Sequence, residues 1–571
     1  MKINGYEIAY SENELKDMVE NKMRQVELAD KNFEGYKNLA DGDKKALEHL
    51  VAAAKMMNKV SLEQDHKLNL EMKSGLENAA KENEQAKYAL KIFNAMNGLE
   101  GVNGVDEKPI ELFEGIHGSI GRNFYPDDMS VEEFHTILEK MLNGGKIDEL
   151  KKILCARSMV RRTGDELKAI DYTEYFADDF SKIANKIEVA AHYATDEKFK
   201  DFLGWQAQAL LQNNEDMDML ADKHWAVLQN SPLEFTIGRE NYDDQMTQTI
   251  YNNPKLLDRL QKAGIEINNK DMLGVRVGIV NQEGTDLIMQ FKEHMSELAD
   301  LMPLKEEYSQ NVSKDSDIKQ TMVDVDLVAL TGDYAQCRGG ITTAQNLPNN
   351  DKLAVKTGGG RRNVYHRQVR QSADMKKYEA ILQRMVAWEL HRYFDVEVDH
   401  LFVIGHENAH SLGPRAEYQN ALGQYKNIIE EHKADVASIA FMPEYVKNGT
   451  ITEEQLRKVY VTWVVYRLFM RAKPVFTLPH RMADLMQFNY LLEYGVISFD
   501  EEDKLHVNFE TFGEVMKRFL FETIEVQLSK SPSKAKEFVD LYGKWGKYSQ
   551  KIAALHEELG LKPYIEIKSY F

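Results

Sequence analysis

The feature that most constrains this chain is the stretch Gly405-His406-Glu407-Asn408-Ala409-His410, followed by Ile428-Ile429-Glu430-Glu431-His432-Lys433-Ala434-Asp435. His406 and His410 are four residues apart. On a helix that spacing stacks both imidazoles on one face, close enough to share one cation. Glu407 is turned about 100° away by the 3.6-residue period, so it can address an attacking water without ligating. The H-E-x-x-H pattern joins two zinc-binding histidines to a glutamate general base. The plain alternative is a solvated helix with unremarkable histidines, and the context argues against it. Asp399-His400-Leu401-Phe402-Val403-Ile404 carries an apolar run into the histidines, and Ser411-Leu412-Gly413-Pro414 ends the element with a glycine and a proline. A long helix is expected upstream from Lys377 to Phe394, and a second amphipathic helix from about Ala416 to Phe441. A catalytic zinc takes three protein ligands and keeps one position open. The second helix offers Glu430 and Glu431, and spacing alone does not choose between them.

Composition bounds the rest. A chain of 571 residues can bury a large core and should form more than one lobe. A hydrophobic share of 43% with 29% charged residues is ordinary for a soluble globular protein. The net charge of -20 disfavours nucleic acid, because phosphate binding needs a basic face. Two cysteines, Cys155 and Cys337, allow neither a disulfide framework nor a cysteine zinc site. Met1-Lys2-Ile3-Asn4-Gly5-Tyr6 leads into polar sequence, and no run of 18 apolar residues occurs. These features predict a cytoplasmic, soluble protein without a membrane partner.

Taken together, "HENAH" and "EEHKAD" resemble the two zinc motifs of the dipeptidyl peptidase III family of metallopeptidases. The closer branch has a five-residue HExxH and is related to Nudix-fused members, although no Nudix box is present here. The resemblance implies one zinc per chain, held by His406, His410 and Glu431, with Glu430 orienting a histidine. The two motifs lie twenty residues apart, shorter than in better-known members, which implies a shorter active-site rim.

Further matches are thinner. Residues Pro232 to Gly238 alternate apolar and polar side chains like a strand, and the chain then turns polar through Glu240, Tyr242 and Asp244. In the family a Glu-x-Tyr here supplies a carboxylate for the substrate's free amine and a phenol for the oxyanion, which Glu240 and Tyr242 match. The plain reading is a strand-edge tyrosine. Residues 245 to 273 look like an insertion. Val323 to Leu330 is expected as a strand, and it leads to Asn346-Leu347-Pro348-Asn349. The family has Asn-x-Pro-Asn in the floor of its peptide groove, so Asn346 and Asn349 become candidate substrate contacts. Thr357-Gly358-Gly359-Gly360-Arg361-Arg362 lacks both phosphate-loop patterns and is expected as a flexible loop. Val459 to Met470 reads as an apolar core helix, and Pro479 starts another. A lone histidine there is usually structural, but in the family one precedes this helix and reaches the active site, which makes His480 a candidate. "NFYPDDM" near residue 123 and "QFNYLLEYG" near residue 487 also match relatives. Residues 500 to 571 suggest a hairpin or loop, two helices and a final strand.

The residues themselves predict a helix-rich α+β chain. The resemblance adds two lobes across a wide cleft, one mostly helical and holding zinc, the other mixed with a small barrel-like sheet. It implies a lower lobe over residues 1–280 and 326–372, and an upper zinc-binding lobe over 281–325 and 373–571. It further implies release of dipeptides from the N-termini of short peptides, with Glu407 as base and Tyr242 and His480 stabilising the oxyanion. Two other readings stay open: a different HExxH aminopeptidase or oligopeptidase using Glu430, and a zinc-stabilised peptide-binding protein without turnover.

Overall fold

The alanine-rich, lysine-laced sequence after residue 40 folds into one long helix, α1 (Asp41–Asp65). Its buried positions Ala46, Leu47, Leu50, Ala53, Ala54 and Met57 recur at helical spacing, so one stripe faces a core. This computed structural model describes every residue except 103–104, 106–107, 241–243, 309–319, 336–343, 348–360, 371, 415 and 477. Helix α1 packs against α2 (Ala177–Tyr193), and α2 packs against α3 (Glu197–Gln212).

The chain divides into two compact units. Met1–Val280, Val325–Ile341 and Lys562–Phe571 form the first, and Asn281–Asp324 with Thr342–Leu561 form the second. Two segments group otherwise than the sequence suggests. Of the described residues, 344–347, 361–370 and 372 belong to the second unit, and the last ten residues belong to the first. The end of the chain is drawn there by backbone pairing, because Tyr564–Lys568 runs parallel to Met23–Glu27.

In the first unit, strands β1 (Leu233–Glu240) and β2 (Met272–Asn281) pair antiparallel, with Leu233 opposite Ile279 and Glu240 opposite Met272. Strand β3 (Gln320–Gly332) carries the chain across the unit boundary. Strands β4 (Ala344–Leu347) and β5 (Arg361–His366) pair in the second unit, with Asn346 opposite Asn363. The sheet order is β4-β5-β3-β2-β1, and the sheet curls into a half-barrel. Strands β1 and β2 are buried over nearly their whole length, and their inward polar side chains meet one another: Arg276 donates to Thr236 at 3.0 Å and to Glu234 at 3.4 Å, and Thr236 donates to Glu234 at 2.7 Å. The molecule is a helix-rich α+β protein.

The second unit is built on helices α4 (Asp399–Ala409), α5 (Lys426–Lys447), α6 (Pro479–Glu493) and α7 (Phe509–Leu528), with α5 packed against the other three. Helix α4 starts with Asp399, a charge that suits a helix N-terminus, and Arg467 holds that carboxylate through two bonds of 2.6 Å. Gly405 lets α4 lie against α5. A Cβ at that position would collide with Ser438 Oγ, whose hydroxyl donates to the Phe402 carbonyl at 2.8 Å.

Several helices are interrupted where periodicity alone predicts one continuous element. In place of the helix expected from Lys377 to Phe394 there is a shorter one that starts two residues earlier, Met375–Met385. Val386 is extended and Ala387 N–H bonds to Leu505, and a 3-10 turn (Trp388–Tyr393) follows. The expected helix from Ala416 to Phe441 is three pieces: Ala416–Asn420, a 3-10 turn at Gly423–Tyr425, and α5. Gly423 sits at φ +63°, outside the helical region. The apolar stretch after Val459 is the end of helix Glu453–Thr462 continued by a π-helical turn, Trp463–Leu468. Beyond residue 500 there are three helices instead of two: α7, Pro532–Tyr542 and α8 (Lys547–Glu558). The Ser531-Pro532 start divides the second of these from α7, and Gly543 ends it before α8. No described helix is long and apolar enough to cross a membrane.

Candidate metal centre

Every side chain of the site described next lies in the second unit. Helix α4 places His406 and His410 on one side, with ring centroids 4.7 Å apart and planes at 89°. Their Nε2 atoms face each other at 3.1 Å. Helix α5 brings Glu431 to the same point. Its Oε2 lies 3.4 Å from His406 Nε2 and 3.6 Å from His410 Nε2. One ligand atom from each of the three residues falls within 4.8 Å of the others.

The outer nitrogens are held from behind. His406 Nδ1 donates to Asp435 at 2.7 Å, and His410 Nδ1 donates to Glu430 at 3.1 Å. A carboxylate only accepts, so these bonds put the proton on Nδ1 and leave Nε2 as the ligand atom. Gln487 donates to Asp435 at 2.9 Å. Glu430 takes bonds from Lys433 at 2.8 Å, Gln419 at 2.7 Å and Gln527 at 3.1 Å. Glu430 is therefore turned toward the back of His410, whereas Glu431 faces both Nε2 atoms.

This donor set fits a cation. Glu431 Oε2 is buried with no hydrogen-bond partner. Burial disfavours its charge, yet the imidazoles of His480, His410 and His406 outweigh that and hold the carboxyl well below its ordinary range. Burial likewise opposes a charge on His406, and the bond to Asp435 together with the negative charge of Glu431 beside it overcomes that and holds its pKa well above the usual value. Three donors prepared for positive charge at one point can exchange a proton for a metal ion. His432, between Glu431 and Lys433, takes no part. It is packed against Phe519 and Phe538, and burial pushes its pKa down to about 3.

Comparison with solved structures finds the same architecture. The chain superposes on the structure of DPP III from Caldithrix abyssi with TM-score 0.79 and 22% identity, covering 97% of this chain and 98% of that one. Dipeptidyl-peptidase III from Corallococcus sp. strain EGB gives TM-score 0.73 and 19% identity, over 98% and 97%. The chain has the dipeptidyl peptidase III fold. In sequence it is similar to Nudix hydrolase 3 of Arabidopsis thaliana, 22% identical over 542 residues and 86% of this chain. The match spans 66% of that relative's length. No family model matches the chain.

Within this dipeptidyl peptidase III fold, the other expected residues fall as follows. Glu407 is half-buried on α4, and its side chain makes no hydrogen bond among the described residues. His480 is the second residue of α6 and 66% exposed, with Nδ1 3.3 Å from Glu431 Oε2. Glu240 ends β1 in the first unit, half-buried. Asn346 lies in β4, and its side chain is not described. Tyr242, Asn349 and Thr357 to Gly360 lie outside the described residues, while Arg361 and Arg362 begin β5. Sequence reasoning passed over Asp435, Lys433, Gln419, Gln487 and Gln527. A signal existed for Asp435, four residues after Glu431 and so on the same face of α5. The glutamines come from other elements and no spacing announces them.

Proposed function

We propose that this chain is a zinc-dependent peptidase that releases dipeptides from the N-termini of short peptides. The observation that carries the reading is the convergence of His406, His410 and Glu431 around one point, with Glu407 on the same helix, in a dipeptidyl peptidase III fold. Imidazole nitrogen and carboxylate oxygen in this number suit zinc with one position left open. Zinc held there would supply Lewis acidity to the scissile carbonyl and acidify the attacking water. Asp435 and Glu430 keep the Nδ1 protons in place, so both rings present lone pairs. The Glu407 carboxylate accepts the proton of the attacking water and returns it to the leaving amine. His480 and Tyr242 donate to the developing oxyanion. Glu240 pairs with the free amine of the substrate, and Asn346 and Asn349 hold the extended backbone between amine and scissile bond.

The test couples metal analysis with a peptide-library digest read by mass spectrometry. Purified protein should carry one zinc per chain and release dipeptides. Glu407→Gln should keep the zinc and lose turnover by several orders of magnitude. Near-normal turnover in a zinc-loaded Glu407→Gln variant would sink the mechanism.

A further inference from the structure

Lys433 is a fully buried cation that the proposed chemistry does not use. Burying an ammonium is costly unless each of its donors is met. Here all three are met, at the Ala409 carbonyl (2.9 Å), the Leu412 carbonyl (2.7 Å) and Glu430 Oε1 (2.8 Å). These partners share a neighbour. Ala409 is the last residue of α4, and His410 is its C-cap. One candidate ligand thus sits where a helix frays and its carbonyls lack intrahelical partners. Ala409 and Leu412 flank it, and the Glu430 oxygen that meets Lys433 also accepts from His410 Nδ1 at 3.1 Å. A cation also suits a helix C-terminus. The chain is shaped around the lysine stem as well, since Gly413 stands at φ +91° and a Cβ there would lie 3.3 Å from Lys433 Cδ.

We propose that Lys433 is a positioning residue for the metal centre. It pins the backbone on both sides of His410 and the carboxylate that fixes the His410 ring, so its loss loosens a ligand without removing one. Glu430 is the shared link. The proposal rests on the zinc reading above.

The experiment measures zinc affinity by chelator competition, and melting temperature with and without zinc, on the full chain. Lys433→Met keeps the stem and removes the donors. It should fold, bind zinc about ten-fold or more weakly, and show a smaller zinc-dependent rise in melting temperature. Lys433→Arg should fall between Lys433→Met and the parent. In a Glu430→Gln background the further loss from Lys433→Met should shrink to about three-fold or less, because the shared link is already weakened. If Lys433→Met does not fold, Lys433→Arg carries the test alone: a loss of about three-fold or more supports the proposal, and parent-like affinity overturns it. Folded variants that melt lower without metal but bind zinc within about two-fold of the parent would mean Lys433 only stabilises a helix end, and the proposal falls. A parent chain that binds no zinc defeats the zinc reading itself and this proposal with it.

Discussion

Glu430 and Glu431 are adjacent in sequence and stand in different surroundings. Glu430 accepts from Lys433, Gln419, Gln527 and His410, and its position behind the ring is fully determined by them. Glu431 faces three imidazoles with a buried oxygen that none of them satisfies by a hydrogen bond. Glu431→Ala should therefore abolish stoichiometric zinc, whereas Glu430→Ala should keep the site and weaken it by about 10–100-fold. Metal content after dialysis against a weak chelator separates the two, and the reverse order would exchange their roles. The histidine pair was legible from spacing, because four residues make a helical turn wherever the helix lies. The choice of glutamate was not legible from spacing, because it depends on which way α5 is rotated against α4. That rotation is decided by contacts such as Gly405 against Ser438.

At the scale of elements, that contact is a test in itself. Gly405→Ala adds one methyl where Ser438 Oγ stands and where Met442 Cε lies at 3.1 Å. Overpacking of this kind costs about 1–3 kcal/mol, so the variant should melt lower and also bind metal less tightly, since His406 is the next residue. Unchanged melting and affinity would show that α4 and α5 have room to part. Helix α8 carries a second test. Its His556 is buried, Nε2 donates to the Phe469 carbonyl at 3.1 Å, and Nδ1 has no partner. Burial, with Lys377, Arg471 and Arg481 nearby, pushes its pKa down to about 3. Below the ordinary value of 6.5 the unfolded chain takes up a proton that folded His556 refuses, so stability is lost as the pH falls from there toward 3. The slope from this one group is up to about 1.4 kcal/mol per pH unit, and above 6.5 it contributes nothing. His556→Gln keeps a donor and cannot titrate. Its melting temperature should fall less steeply than the parent's between about pH 6.5 and 5, and equal slopes would remove the argument.

For the whole molecule, the proposed dipeptide register needs a carboxylate that pairs with a free amine two residues from the scissile bond. Glu240 is assigned that charge, and losing the partner of a desolvated carboxylate costs on the order of 2–5 kcal/mol. N-acetylated peptides should therefore be poor substrates, and Glu240→Gln should slow cleavage of free-amine peptides selectively. Equal cleavage of acetylated and free peptides, or single amino acids as first product, would remove the exopeptidase assignment while leaving the metal site standing. The sequence by itself determined what depends on near neighbours: the i, i+4 histidines, the strand Leu233–Glu240, the start of α6 at Pro479 and the helix-rich class. Tertiary structure decided what depends on distant ones. It broke the helix after Met385 because Ala387 pairs with Leu505, and drew Tyr564–Lys568 back beside Met23–Glu27. It also surrounded Glu430 with glutamines from positions 419 and 527. The reason is physical: periodicity records which face of an element is apolar, but not which element will cover it. A buried polar group takes its partners from whatever the packing brings within about 3 Å.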